Sequence, residues 1–179
     1  MRPTTMAEDS NHESLEIRPA EPADARAFLE FWTAIVAEER FVRTEQVTTR
    51  VRAYRRRFRQ RSDLEIDMLA FEGGRLVGHV TVQRERHPVT HHVASLSIAV
   101  AADARGRGIG RRLMDEAIAW AMRAGIEKLV LSVYPHNEAA IALYRSCGFV
   151  EEGRLARHSH KSYGYEDEIL MAAWIGGDG

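Results

Sequence analysis

The stretch Val93-Ala94-Ser95-Leu96-Ser97-Ile98-Ala99-Val100, followed after four residues by Arg105-Gly106-Arg107-Gly108-Ile109-Gly110-Arg111-Arg112, decides how this chain is read. An extended apolar run gives way to a loop dense in glycine, and the loop opens a helix. Gly106, Gly108 and Gly110 alternate, so the backbone can turn tightly and approach a ligand closely. The helix that follows is predicted to run to about Ala124, with Gly125 as its stop. Its unpaired N–H groups and the positive end of its dipole face the loop. Arg105, Arg107, Arg111 and Arg112 add charge, and the whole set suits a diphosphate. Two rival motifs fail on spacing. A dinucleotide G-x-G-x-x-G needs glycine where Arg111 or Leu113 stands, and a P-loop needs a Gly-Lys-Ser/Thr triplet that is missing. Taken alone, the loop has a second, less favoured reading as a glycine-rich turn before a helix with ordinary surface arginines.

Working outward, Lys128 to Tyr134 reads as a strand, and Asn137 caps a helix that runs to Cys147 and stops at Gly148. Phe149 onward and Tyr163 to Trp174 read as two closing strands. Toward the N-terminus, Leu64–Phe71 and Leu76–Gln83 form a hairpin about Glu72-Gly73-Gly74-Arg75. Ala27, Phe28, Phe31, Ile35 and Val36 recur at helical spacing between Ala23 and about Arg40, with Pro22 in the first turn. Thr44-Glu45-Gln46 starts a second helix carrying Val47, Val51, Tyr54 and Phe58. Leu15–Arg18 is a short first strand. The predicted order is β-α-α-β-β-β-α-β-α-β-β, a mixed α/β sheet flanked by helices. The helix between the strands ending near Val100 and Tyr134 makes a parallel crossover. Residues 1–14 are expected to form a loose tail, and residues 15–176 one domain.

Bulk properties narrow the function. Charged residues make up 28% and hydrophobic residues 45%, the mix of a soluble globular protein. The formal net charge of -1 gives no global pull toward nucleic acid or membrane. No apolar run approaches the roughly 18 residues of a membrane span, and no signal peptide is evident. The single cysteine, Cys147, excludes an intrachain disulfide and points to a reducing, cytoplasmic setting. It reads as a small packed residue rather than a nucleophile. The segment Arg50–Arg61 holds seven arginines, which raises the alternative of a nucleic-acid-binding protein. Arg52, Arg55, Arg56 and Arg59 share a face opposite Val51, Tyr54 and Phe58, so a solvated helix face is the better reading. His91, His92, His158 and His160 lack the further ligands a metal site needs, and no metal is expected.

A second motif joins the loop. The run Asn137-Glu138-Ala139-Ala140-Ile141-Ala142-Leu143-Tyr144-Arg145-Ser146-Cys147-Gly148-Phe149 closely resembles the helix of the GCN5-related N-acetyltransferase (GNAT) family through Asn137, Ala140, Tyr144, Gly148 and Phe149. The family's Arg/Gln-x-x-Gly-x-Gly/Ala loop is matched by Arg105, Gly108 and Gly110. The two occur in the family's order and context, and the resemblance covers nearly the whole chain. Glu152-Gly153-Arg154 and Tyr163 to Met171 are similar to the branch containing bacterial amino-acid and protein N-terminal acetyltransferases.

The resemblance implies the GNAT fold, a central sheet of about six to seven strands, and acetyl-CoA as co-substrate. It implies direct acetyl transfer to a primary amine: an amino acid, a small amine or a peptide N-terminus. Ile98 and Val100 would pair with pantetheine, and a backbone N–H there would polarise the thioester carbonyl. Arg105, Gly106, Arg107, Gly108, Ile109, Gly110 and Arg111 would hold the diphosphate. Tyr144 would protonate the departing thiolate, or else is simply core packing. Asn137 is either a cofactor contact or only a helix cap. Many relatives carry a glutamate on the strand before the loop, where this chain has Ser95 and Ser97. A water relay involving Ser97, Glu38 or Glu39 is the expected substitute, with His160 a further candidate base. Relatives often form homodimers through their C-terminal strands. The alternative within the fold is a non-catalytic acetyl-CoA sensor.

Overall fold

The computed structural model describes residues 14–60 and 62–176. The tail expected over residues 1–14 lies, apart from Ser14, outside them. The elements are β1 (Glu16–Pro19), α1 (Ala25–Ala37), α2 (Val51–Arg59), β2 (Glu65–Glu72), β3 (Arg75–Arg84), β4 (Val93–Val100), α3 (Ile109–Arg123), β5 (Lys128–Val133), α4 (Glu138–Ser146), β6 (Val150–Lys161) and β7 (Gly164–Trp174). This is the predicted order.

Two helix boundaries differ from expectation. Pro22–Asp24 form a 3-10 turn, and α1 stops at Ala37, before Glu39 takes a left-handed φ of 52°. The second helix starts at Val51, not Thr44. Tertiary contacts hold the preceding segment open. The buried Lys161 ammonium donates to the carbonyls of Val42 (2.7 Å) and Arg43 (3.2 Å), which fixes the chain just before the expected start. The Glu45 carboxylate accepts the Ser162 N–H at 2.9 Å.

The seven strands form one sheet in the order β1-β2-β3-β4-β5-β7-β6. Strand alternation sorts the core onto its two faces. Leu69 and Phe71 of β2 pack with Phe28, Phe31 and Ile35 of α1 and with Tyr54 and Phe58 of α2. Met68 and Ala70, one residue out of phase, pack with Leu113, Met114 and Ala117 of α3 and with Ile141 and Tyr144 of α4. Helix α3 lies so close to the sheet that a Cβ at Gly78 would stand 2.8 Å from Leu113 Cδ1. On the other face, Arg57 of α2 donates to both Asp67 carboxylate oxygens at 2.7 Å, and His79 Nε2 lies 2.7 Å from the same carboxylate. This buried node ties α2 to β2 and β3.

All neighbouring strands are antiparallel except β4 and β5. Those two pair only at Val93–Lys128, Ala94–Leu129 and Ser95–Val130. Beyond that point β4 stays on β3 as far as the Val100–Gly78 pair, and β5 stays on β7 as far as Val133–Ile169. Each arm is held by its outer neighbour, so the sheet opens as a V down its middle.

Candidate active site

A cleft of about 1130 Å³ occupies the V. The Ala101 N–H donates to Val77 O, and the Glu85 N–H donates to Val93 O, both at 2.9 Å. Odd-numbered residues of β4 therefore turn their backbone groups toward β3. By alternation, Leu96, Ile98 and Val100 turn theirs into the gap. Ile98 and Val100, the expected pantetheine contacts, both line the cleft. The Val100 carbonyl already accepts from Arg105 Nε at 3.0 Å. That leaves its N–H and the backbone of Ile98 and Leu96 for a ligand in the gap.

At the wide end, Gly106 and Gly108 take left-handed φ values of 74° and 79° and turn the chain into α3. The first bond of α3 runs from the Arg112 N–H to Gly108 O at 3.1 Å. The N–H groups of Ile109, Gly110 and Arg111 are thus the unpaired ones of the first turn. A Cβ at Gly110 would stand 3.1 Å from Leu143 Cδ2, so this glycine lets α3 lie beside α4.

The arginines depart from expectation. Arg107 forms a bidentate pair with Glu72 and does not line the cleft. Arg112 donates to Leu15 O at 3.2 Å. Arg105 and Arg111 do line the cleft, yet Arg105 is paired with Glu38 at 2.7 Å and Arg111 with Asp115 at 2.8 Å. What the loop offers an anion is mainly main-chain N–H and helix dipole.

Tyr144 of α4 reaches the cleft from the α3 side of the sheet, 7% exposed. Burial first, and the neighbouring Cys147 second, push its phenol up to about 12. It is a neutral proton donor across the usual pH range. Asn137 caps α4, its side-chain oxygen accepting the Ala140 N–H at 3.3 Å, and it also lines the cleft.

The acceptor side holds the main corrections. Ser97 lies on the cleft wall, opposite Thr81 of β3. Glu38 and Glu39 follow α1 rather than belong to it, and neither lines the cleft; Glu38 is engaged by Arg105. His160 stacks on Tyr165 with ring centroids 4.3 Å apart and also stays out of the cleft. A bulge in β6 between Leu155 and Ser159 breaks the alternation, and it is His158 that lines the cleft.

Sequence reasoning missed Glu168. This β7 carboxylate is 1% exposed and lines the cleft with Ser132, Tyr134, Arg43 and His158. Ser159 donates to its Oε1, and Tyr134 donates to Ser159 at 3.3 Å. Burial pushes Glu168 up. The hydroxyls of Ser132 and Ser159, with the charges of Arg43 and His158, outweigh burial and hold the carboxyl below the usual glutamate range. A faint signal existed: Glu168 shares the strand parity of Leu170 and Ala172.

Among the described residues no cluster of three or more His, Cys, Asp or Glu could hold a metal, and no helix is long and apolar enough to cross a membrane. Residues 27–149 match the profile of the acetyltransferase (GNAT) family. The chain is 30% identical over 106 residues to the L-amino acid N-acetyltransferase AaaT of Escherichia coli, covering 59% of this chain and 65% of that protein. It is 40% identical over 91 residues to the N-alpha-acetyltransferase RimI of Mycobacterium tuberculosis, covering 50% and 54% respectively. The chain thus spans less than two thirds of these relatives' length. The crystal structure of a GNAT-family acetyltransferase from Streptococcus pneumoniae superposes with a TM-score of 0.86 at 31% identity, covering 91% of this chain and all of that one. With the parted β4 and β5, the glycine loop and the capped α4 in place, the chain belongs to the GNAT acetyltransferase family.

Proposed function

We propose that this protein is an acetyl-CoA-dependent N-acetyltransferase that moves an acetyl group directly onto a primary amine of the amino-acid or peptide N-terminal type. The observation that carries the reading is the gap opened where β4 and β5 stop pairing after Ser95 and Val130, with Tyr144 on its wall. The relatives named for amino-acid and N-alpha acetylation support the acceptor class.

In this reading the pantetheine arm lies against Ile98 and Val100, and the diphosphate sits on the N–H groups of Ile109, Gly110 and Arg111. A backbone N–H of β4 polarises the thioester carbonyl. The acceptor ammonium loses a proton to water, with Ser97 on the wall to steady that water. The amine nitrogen attacks the carbonyl carbon, the tetrahedral intermediate gives its second nitrogen proton to water, and it expels the thiolate as the C–S bond breaks. The Tyr144 hydroxyl gives the thiolate its proton and recovers one from solvent. No acyl-enzyme forms.

The test is CoA release from acetyl-CoA across the free L-amino acids, alkyl diamines and short peptides with free N-termini, with the products weighed by mass spectrometry. The expected result is amine-dependent release and a product heavier by one acetyl group. Acetyl-CoA binding with no transfer to any amine would instead favour a sensor.

A further inference from the structure

The acceptor half of the cleft contains one group that the transfer chemistry above does not use. Glu168 is fully buried, and the two oxygens of its carboxylate differ. Oε1 accepts from Ser159, whose own hydroxyl is fixed by Tyr134. Among the described residues Oε2 has no partner of hydrogen-bond geometry, although the Ser132 hydroxyl is close enough to help hold the carboxyl down. Its nearest cation is the Arg43 guanidinium, 3.7 Å away, on a side chain that is 65% exposed. That distance gives charge compensation without a hydrogen bond. A buried carboxylate oxygen without a donor is costly, and native structures rarely keep one unless something else fills the role.

The surroundings indicate what that something is. Ser132 of β5, Ser159 and His158 of β6 and Arg43 of the 38–50 segment face the carboxyl group, and Glu166 and Tyr134 stand nearby. The Arg43 backbone is pinned to Lys161, but among the described residues its side chain is held only by this loose pair, so a better donor can displace it. An ammonium is such a donor: compact, with three N–H bonds, and suited to one free carboxylate oxygen.

We propose that Glu168 is the acceptor-recognition residue, its Oε2 receiving the substrate's ammonium in place of Arg43. The proposal rests on the N-acetyltransferase reading. Its carboxyl is held below the usual glutamate range, so Glu168 binds the cation and is a poor base for removing its proton. The proton leaves to water as the nitrogen moves toward the thioester. The Tyr134–Ser159 chain is a positioning device: it fixes Oε1 and so aims Oε2.

The experiment uses the full chain, acetyl-CoA and whichever amine of the panel the wild type acetylates fastest. Glu168→Gln keeps the acceptor for Ser159 and removes the charge. Glu168→Asp keeps the charge and withdraws it. The acceptor KM is expected to rise about 10- to 100-fold in Glu168→Gln, the factor a charge-assisted hydrogen bond supplies. It should rise less in Glu168→Asp, with acetyl-CoA affinity unchanged in both. A structural role predicts the opposite order, because Asp leaves a gap that Gln fills. The proposal is overturned if Asp is the worse variant, if the acceptor KM does not move, or if Glu168→Gln fails to fold. Wild-type protein that acetylates no amine overturns the parent reading. Wild-type turnover with an unmoved Glu168→Gln KM overturns only this inference.

Discussion

In the proposed reaction, Tyr144 carries the chemistry at the scale of single residues. A phenol pushed up to about 12 remains protonated wherever the enzyme is assayed, so it can donate but cannot serve as a base. Tyr144→Phe is expected to lower kcat about 100-fold, within the range of a lost general acid, and to leave acetyl-CoA affinity intact. The wild-type kcat should show no alkaline inflection near the ordinary phenol value of about 10. A fall there that disappears in the Phe variant would contradict the upward shift, and transfer undiminished in the Phe variant would contradict the acid assignment. Gly108 gives a second residue-scale prediction. Its φ of 79° is left-handed, and a Cβ there would meet nothing within 4 Å. Gly108→Ala should therefore cost roughly 1–2 kcal/mol through backbone conformation alone. A thermal melt and an acetyl-CoA titration check it, both shifting toward weaker. These residues were legible because their motifs are contiguous. Glu168 was not: its role depends on Ser159 of β6, Ser132 of β5 and Arg43 of a distant segment meeting one β7 side chain. Arg107 misled for the converse reason, since its partner Glu72 lies 35 positions away.

The contact between α3 and the sheet sets how the elements fit. Gly78 would place a Cβ 2.8 Å from Leu113 Cδ1 and 3.3 Å from Ala70 Cβ and Ile109 Cγ2. Gly78→Ala is expected to destabilise the fold by about 1–3 kcal/mol, the cost of overpacking a close contact, as read by urea unfolding. An unchanged midpoint would show that α3 shifts freely. Strand and helix order was readable because each element has its own apolar period. The start of α2 was not: Lys161 and Ser162, more than a hundred residues downstream, engage the carbonyls of Val42 and Arg43 and the Glu45 carboxylate. That strap of chain also brings the Arg43 side chain to the cleft wall, so the contacts that fix the strap also shape the cleft.

For the whole molecule, pH acts through buried carboxylates. Burial pushes Asp67 up, but the hydrogen bond and charge of His79 and the charge of Arg57 outweigh it and hold the carboxyl below 3.8. The Arg18 hydrogen bonds hold Asp24 below 3.8 against burial in the same way. The native state then holds fewer protons than the unfolded chain. Their stabilisation is fully present above the ordinary carboxylate value and is lost as pH falls through the depressed ones. Stability measured by urea should fall on acidification below about pH 4. Asp67→Asn, which leaves His79 without its carboxylate and Arg57 with the Glu65 carboxylate alone, should cost about 1–3 kcal/mol at neutral pH and flatten part of that decline. An undiminished decline in the variant would remove Asp67 from the account. The feature on which the proposed function depends is also global: one sheet held together on its outer strands and parted in the middle. The most direct measurement of that claim is a crystal structure of the protein with acetyl-CoA. Pantetheine is expected between Leu96–Val100 and β5, bonded to the backbone of Ile98 and Val100, with the diphosphate on the N–H groups of Ile109, Gly110 and Arg111. Acetyl-CoA bound elsewhere, or a diphosphate held by the arginines of α2, would contradict it.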